Sequence, residues 1–183
     1  MFDGHDAAIN IMRRIMQDKG IEVIHLGHNR SVDEVVSAAI EEDANAIAIS
    51  SYQGGHVEYF KYVIDLLSNR GRPDIQLFGG GGGVITPEEV VELKKYGINH
   101  LYSPDDGRSM GLRGMIDDMI RRTKRSKNQI FKPKPHELSK SNHKLLAQFI
   151  TAIENDVLDS KINRQLEKLS RENQQIPILG ITG

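Results

Sequence analysis

What most constrains this chain is a strict alternation over residues 1–125. Short runs of Ile, Val and Leu are separated by stretches whose apolar residues recur at helical spacing. The strand candidates are Ile21–Leu26, Ala46–Ser50, Ile75–Phe78 and Ile98–Tyr102. Each is brief, apolar on both faces and closed by glycine or polar residues, as buried parallel strands are. Between them, Ala8, Ile11, Met12, Ile15 and Met16 fall at i, i+3, i+4, i+7 and i+8. Phe60, Val63, Ile64 and Leu67 share that spacing, as do Leu112, Met115, Ile116, Met119 and Ile120. Such positions line one face of a helix. Strand, helix, strand in succession implies a doubly wound parallel sheet of the flavodoxin type, covered on both faces. Ligands of such sheets sit beyond the carboxyl ends of the strands.

The alternation opens on a helix, beginning near Ala7, where an α/β domain is expected to open on a strand. Met1 and Phe2 read as the last residues of that strand, so the expectation is a sheet lacking its first member. At the other end, residues 121–135 carry Arg121, Arg122, Lys124, Arg125, Lys127, Lys132 and Lys134 with no acid among them. Pro133 and Pro135 break any helix there. The stretch reads as a linker, and its single aromatic, Phe131, makes a nucleic-acid patch a poor alternative. One helical segment is expected over Ser141–Asn173. Its stripe is Leu145, Leu146, Phe149, Ile150, Ile153 and Val157, continued by Leu158, Ile162, Leu166 and Leu169. Residues 177–183 read as a new strand running into a glycine turn. The expected division is therefore 1–125, 126–175 and 176–183.

Composition removes several function classes. There is no cysteine among 183 residues, which excludes disulfides, thiolate zinc sites and a cysteine nucleophile. The net charge of −1 gives no global field for nucleic acid or membrane. No run of 18 apolar residues is present to span a membrane, and no signal peptide precedes the first motif, so a cytoplasmic protein is the expectation.

The chemistry-bearing residues gather at the strand ends. Asp3-Gly4-His5-Asp6 stands where the absent strand would hand over to the first helix. An imidazole that binds a metal through one nitrogen is oriented by a carboxylate on the other, and Asp3 can supply it. The plainer alternative is a solvent-facing loop with Asp6 as the helix N-cap. Ser50-Ser51-Tyr52-Gln53-Gly54-Gly55-His56 follows the second strand candidate. Five glycines, Gly79, Gly80, Gly81, Gly82 and Gly83, follow the third. Such a run costs backbone entropy beyond what a tight turn needs, and suggests a large flat ligand lying on the backbone. A merely flexible loop is the other reading. The last candidate strand ends in Tyr102-Ser103-Pro104. His56 lies near this edge, whereas His25, His28, His136 and His143 read as ordinary polar positions.

Asp3-Gly4-His5 resembles the start of the Asp-x-His-x-x-Gly motif of cobalamin-binding domains in the mutase and methionine synthase families. Ser50-x-Tyr52 resembles their Ser-x-Leu element, and the glycine run resembles their Gly-Gly pair, with Gly82 and Gly83 the favoured match because Val84-Ile85 follows. Residues Phe2–Met12 and Ser50–His56 are similar in detail to the fused isobutyryl-CoA mutases. Ala8 departs from the motif's glycine and Tyr52 from its leucine. The resemblance implies adenosylcobalamin as cofactor, with His5 as the lower ligand of cobalt. Asp3, Gly4, Asp6, Ala8, Ser50, Tyr52, the five glycines and Tyr102–Pro104 would lie around it. It also implies two companion domains, an acyl-CoA substrate barrel and a GTPase chaperone binding GTP and magnesium. Gly180-Ile181-Thr182-Gly183 resembles the opening of that GTPase's phosphate loop, left incomplete. The complete protein would be a homodimeric isomerase that rearranges acyl-CoA skeletons. This chain would hold no catalytic residue and would be inactive alone, with no nucleic-acid or membrane partner. The rivals are a corrinoid carrier for methyl transfer and a non-catalytic cobalamin-binding regulatory module.

Overall fold

The computed structural model describes residues 4–51, 54–81, 83–125, 134–139 and 141–172, with side chains for these apart from 4–6 and 125. The chain divides into two compact units, 1–129 and 130–183.

The first unit is built on three parallel strands in the order β1-β2-β3: β1 (Ala46–Ser50), β2 (Gln76–Gly80) and β3 (His100–Tyr102). Its helices are α1 (Gly4–Asp18), α2 (Val32–Glu41), α3 (His56–Asn69), α4 (Pro87–Tyr96) and α5 (Pro104–Arg125). The crossovers β1-α3-β2 and β2-α4-β3 lie on one face. There Ile47, Leu77 and Leu101 meet Val36, Phe60, Val63, Leu67 and Leu93 in one buried cluster. Side chains alternate along a strand, so Phe78, fully buried, points to the opposite face. On that side α5 packs on β3 and α1 packs on α5, burying Ile15 and Ile116.

Local chemistry starts the helices. Ser31 caps α2 and Thr86 caps α4, each in a reciprocal box with the glutamate three residues on, Glu34 and Glu89. Pro87 occupies the first turn of α4, where its missing N–H costs nothing. At the amino edge of the sheet the Arg72 guanidinium is 3% exposed. It reaches Asp43 at 2.8 Å and forks onto both oxygens of Asp74. One buried cation thus joins the loop before β1 to the loop before β2.

Four sequence expectations change. Residues 21–26 form no strand: they enter no ladder among the described residues, and Ile24 is half exposed. An apolar run becomes a strand only when a neighbouring backbone takes its hydrogen bonds. Asp6 lies inside the first turn of α1 and is not its N-cap. The helix expected over 141–173 is two, α6 (His143–Glu154) and α7 (Ser160–Glu172). Asp156 between them takes φ +52°, which ends a helix. In this second unit, Leu145, Phe149 and Ala152 are buried, while Leu146, Ile150 and Ile153 on the same helix are exposed. The basic stretch 121–135, expected as a linker, begins inside α5, which runs on to Arg125, because Arg121 and Arg122 bind Asp118 one turn back on the same helix. Residues 126–133 and the strand expected over 177–183 lie outside the described residues.

Candidate functional site at the carboxyl edge of the sheet

Strand register assembles the site. Ser50 pairs with Gly80, and Gly80 pairs with Tyr102. Residues in register on parallel strands present their side chains to the same face, so these three form the last row across the sheet. Ser50 is exposed, and Gly80 and Tyr102 are half buried. The ladder continues one step further, where the Ser51 N–H donates to the Gly80 carbonyl at 2.8 Å.

The glycines are not equivalent. A Cβ on Gly79 would stand 2.6 Å from Leu101 Cδ2 and 2.7 Å from Phe60 Cζ, inside the apolar cluster. One on Gly81 would stand 2.5 Å from the Ser51 carbonyl oxygen and 2.9 Å from Ile85. Gly83 has φ +97°, a conformation that L residues resist. Packing and backbone geometry by themselves account for glycine at these three positions. Gly80 differs. Its nearest neighbours would be the Tyr102 carbonyl at 3.4 Å and the Tyr102 Cβ at 3.9 Å, ordinary contacts. The protein leaves Gly80 open on the face it shares with exposed Ser50. That cradle, which one methyl would begin to fill, fits a large group laid on backbone.

Tyr102 is held from behind. Its hydroxyl donates to Asp118 at 3.1 Å, and its ring meets His100 edge-on at 4.6 Å between centroids. Arg122 Nε donates to the same carboxylate at 2.6 Å, and Arg121 to its other oxygen. Burial opposes ionisation of Asp118, but the hydrogen bonds from Arg122, Arg121 and Tyr102 outweigh it and bring its pKa down to about 2. Burial first, and then the Asp118 charge, push the Tyr102 phenol well above its usual range, so it stays a hydrogen-bond donor. Burial and the nearby Arg122 and Lys94 charges lower the His100 pKa. Ser103 opens α5 in its own reciprocal box: its N–H and hydroxyl both donate to Asp106 at 2.8 Å, and its hydroxyl oxygen accepts from the Asp106 N–H. Pro104 follows, and its ring would lie 3.6 Å from a Cβ on Gly83.

The structure thus brings Ser50, Gly79, Gly80, Gly81, Gly83, Tyr102, Ser103 and Pro104 to one edge. Gly4, His5 and Asp6 form the first turn of α1, and Ala8 is half buried in its second. The side chains of His5 and Asp6, and all of Asp3, Tyr52 and Gly82, lie outside the described residues. Asp118 behind the site was not singled out from sequence, and Arg122 was read only as part of the basic linker stretch. The signal for them is weak, since an acid and two arginines at i+3 and i+4 are common on a solvated helix. Thr86-Pro87-Glu88-Glu89 was a readable helix start and would have placed Glu89 at this edge. Among the described residues no group of three or more histidines and carboxylates is placed to hold a metal ion, and no helix is long and apolar enough to cross a membrane.

Residues 1–104 match the model of the B12 binding domain. The whole chain is 55% identical to the fused isobutyryl-CoA mutase of Cupriavidus metallidurans, of which it spans 17%. Over 103 residues it is 32% identical to the 2-hydroxyisobutanoyl-CoA mutase small subunit of Aquincola tertiaricarbonis, covering 56% of this chain and 74% of that one. In fold it is similar to a cobalamin-binding protein from Desulfitobacterium hafniense, with a TM-score of 0.52 at 22% identity over 66% of this chain and 54% of that one.

Proposed function

Because the chain belongs to the B12-binding domain family, we propose that it is the adenosylcobalamin-binding module of an acyl-CoA mutase acting on isobutyryl-CoA and n-butyryl-CoA. The observation that carries this reading is the open row Ser50–Gly80–Tyr102 at the carboxyl edge, in a chain matched end to end by a fused mutase. Bound there, the cofactor supplies a cobalt–carbon bond whose homolysis begins radical chemistry. The protein's part is to bind and orient. His5 would hold cobalt through one ring nitrogen, with Asp3 accepting from the other and fixing the tautomer. Gly4, Asp6 and Ala8 would border that contact. Ser50, Tyr52, Gly80, Gly82 and Gly83 would take the nucleotide tail, and Tyr102–Pro104 would border it. Gly79 and Gly81 let the strand ends approach one another. None of these residues acts on the acyl-CoA.

In this reading residues 1–125 are the cobalamin domain, 126–175 a linker with a helical segment, and 176–183 the start of a GTPase domain. The substrate barrel and GTPase chaperone are its partners in a homodimer of cytoplasmic location.

Titration with adenosylcobalamin, followed by visible absorbance, tests the site. The wild-type protein should show the base-off, histidine-on spectrum. His5→Ala should abolish that change, and Asp3→Asn should weaken binding by roughly 10- to 100-fold. A His5→Ala protein with the wild-type spectrum overturns the assignment.

A further inference from the structure

Buried polar side chains are costly unless partnered, and the carboxyl edge holds one that cobalt ligation and the strand-end row leave unused. His56 is the first residue of α3, and its side chain is 5% exposed. It follows Gly55, whose φ of +85° turns the chain from the β1 loop into the helix. Its Nε2 lies 3.2 Å from Oε2 of Glu89, in the first turn of α4. The same Glu89 oxygen accepts the Thr86 N–H at 2.7 Å, and the Glu89 N–H donates to the Thr86 hydroxyl at 3.3 Å. The Thr86 N–H first, and then the neighbouring His56, hold the Glu89 carboxyl below its usual range. The carboxylate is therefore pinned to the end of the glycine loop, and His56 is pinned to the end of the Ser50–Gly55 loop.

We infer that His56 and Glu89 form a latch that sets the spacing of the two loops receiving the cofactor's tail, making His56 a positioning residue for cobalamin binding. The loops also meet at a second point, where Gly81 closes on the Ser51 carbonyl. Two ties fix a distance and an angle; one alone leaves a hinge. A leucine would fill the buried volume as well as an imidazole, but only a donor reaches the carboxylate. The latch bears on the open row directly, since β1 enters one loop at Ser50 and β2 enters the other at Gly80. This inference rests on the cobalamin reading above.

The test uses the protein as its gene encodes it, titrated with adenosylcobalamin, with a thermal melt of each variant. His56→Leu keeps the packing and loses the donor. Its affinity should fall about tenfold or more, the scale on which outer supports of a site act, with the melt close to wild type. His56→Gln, whose amide can donate toward Glu89, should recover most of that loss. Glu89→Ala acts from the more exposed side of the pair and should weaken binding similarly. It serves if His56→Leu fails to fold. The double variant should bind no worse than the weaker single one, as residues in one interaction do. Affinity within twofold of wild type in both single variants overturns the latch, as does a melt that falls in step with affinity and no rescue by glutamine. A wild-type protein that does not bind adenosylcobalamin overturns the cobalamin reading and the latch with it.

Discussion

Replacing the glycines one at a time by alanine separates those the fold requires from the one it leaves open. At Gly79 the new methyl would stand 2.6 Å from Leu101 and 2.7 Å from Phe60. Both side chains are buried to within a few per cent. Overpacking of this kind costs about 1–3 kcal/mol. At Gly81 the obstacle is the Ser51 carbonyl at 2.5 Å. It is backbone, so the β1 end must move, and the Ser51–Gly80 hydrogen bond is lost at a further cost of about 1 kcal/mol. At Gly80 the nearest atom is 3.4 Å away and φ is not positive. Alanine there lowers the entropy of the unfolded chain and should stabilise by about 0.4–1 kcal/mol. The same methyl projects from the open row, so cobalamin affinity should fall about tenfold or more, as inserted methyls do in filled sites. Urea denaturation gives the stability of each variant, and adenosylcobalamin titration its affinity. The expected pattern is opposed: Gly79→Ala and Gly81→Ala less stable, and Gly80→Ala at least as stable but a poor binder. A Gly80→Ala protein with wild-type affinity refutes the placement of the ligand on this row. Gly79→Ala at wild-type stability refutes the packing argument.

Two further outcomes follow from charges behind and below the site. Asp118 has its pKa lowered from 3.8 to about 2 by its arginine and tyrosine partners. A depressed folded-state pKa adds stability above the unfolded value, and that stability is lost as pH falls from about 4 through about 2. Asp118→Asn should flatten that part of the stability profile, measured by urea midpoints at stepped pH; an unchanged slope below pH 4 would contradict it. Arg72→Met leaves Asp43 and Asp74 without their shared cation and should cost about 3–5 kcal/mol in thermal or urea melts, as breaking a buried pair does. A loss under about 1 kcal/mol would show that the carboxylates are served by water.

Much of this molecule was legible because its code is local. Ala46–Ser50 is a strand with the bounds its five residues announced. The spacing of Phe60, Val63 and Leu67 placed the buried face of α3, since helical periodicity depends on no distant residue. The motif order Asp-x-His, Ser-x-Tyr and glycine run pointed to cobalamin before any geometry was known, and the family match over residues 1–104 agrees with it. What required tertiary structure was every property owned jointly by distant residues. Ile21–Leu26 has the composition of a strand, but a strand exists only where a second backbone takes its hydrogen bonds, and none of the described residues does so. Five identical glycines carry no mark of which meets Phe60, which meets Ser51 and which has room for a methyl. That depends on register between strands some thirty residues apart in sequence. Glu89 and Asp118 read singly as ordinary polar residues, and nothing in the sequence pairs them with His56 and Tyr102. Folding alone brings each pair within 3.2 Å, because burial and charge are properties of the space around a side chain, and that space is filled by chain the local sequence does not contain.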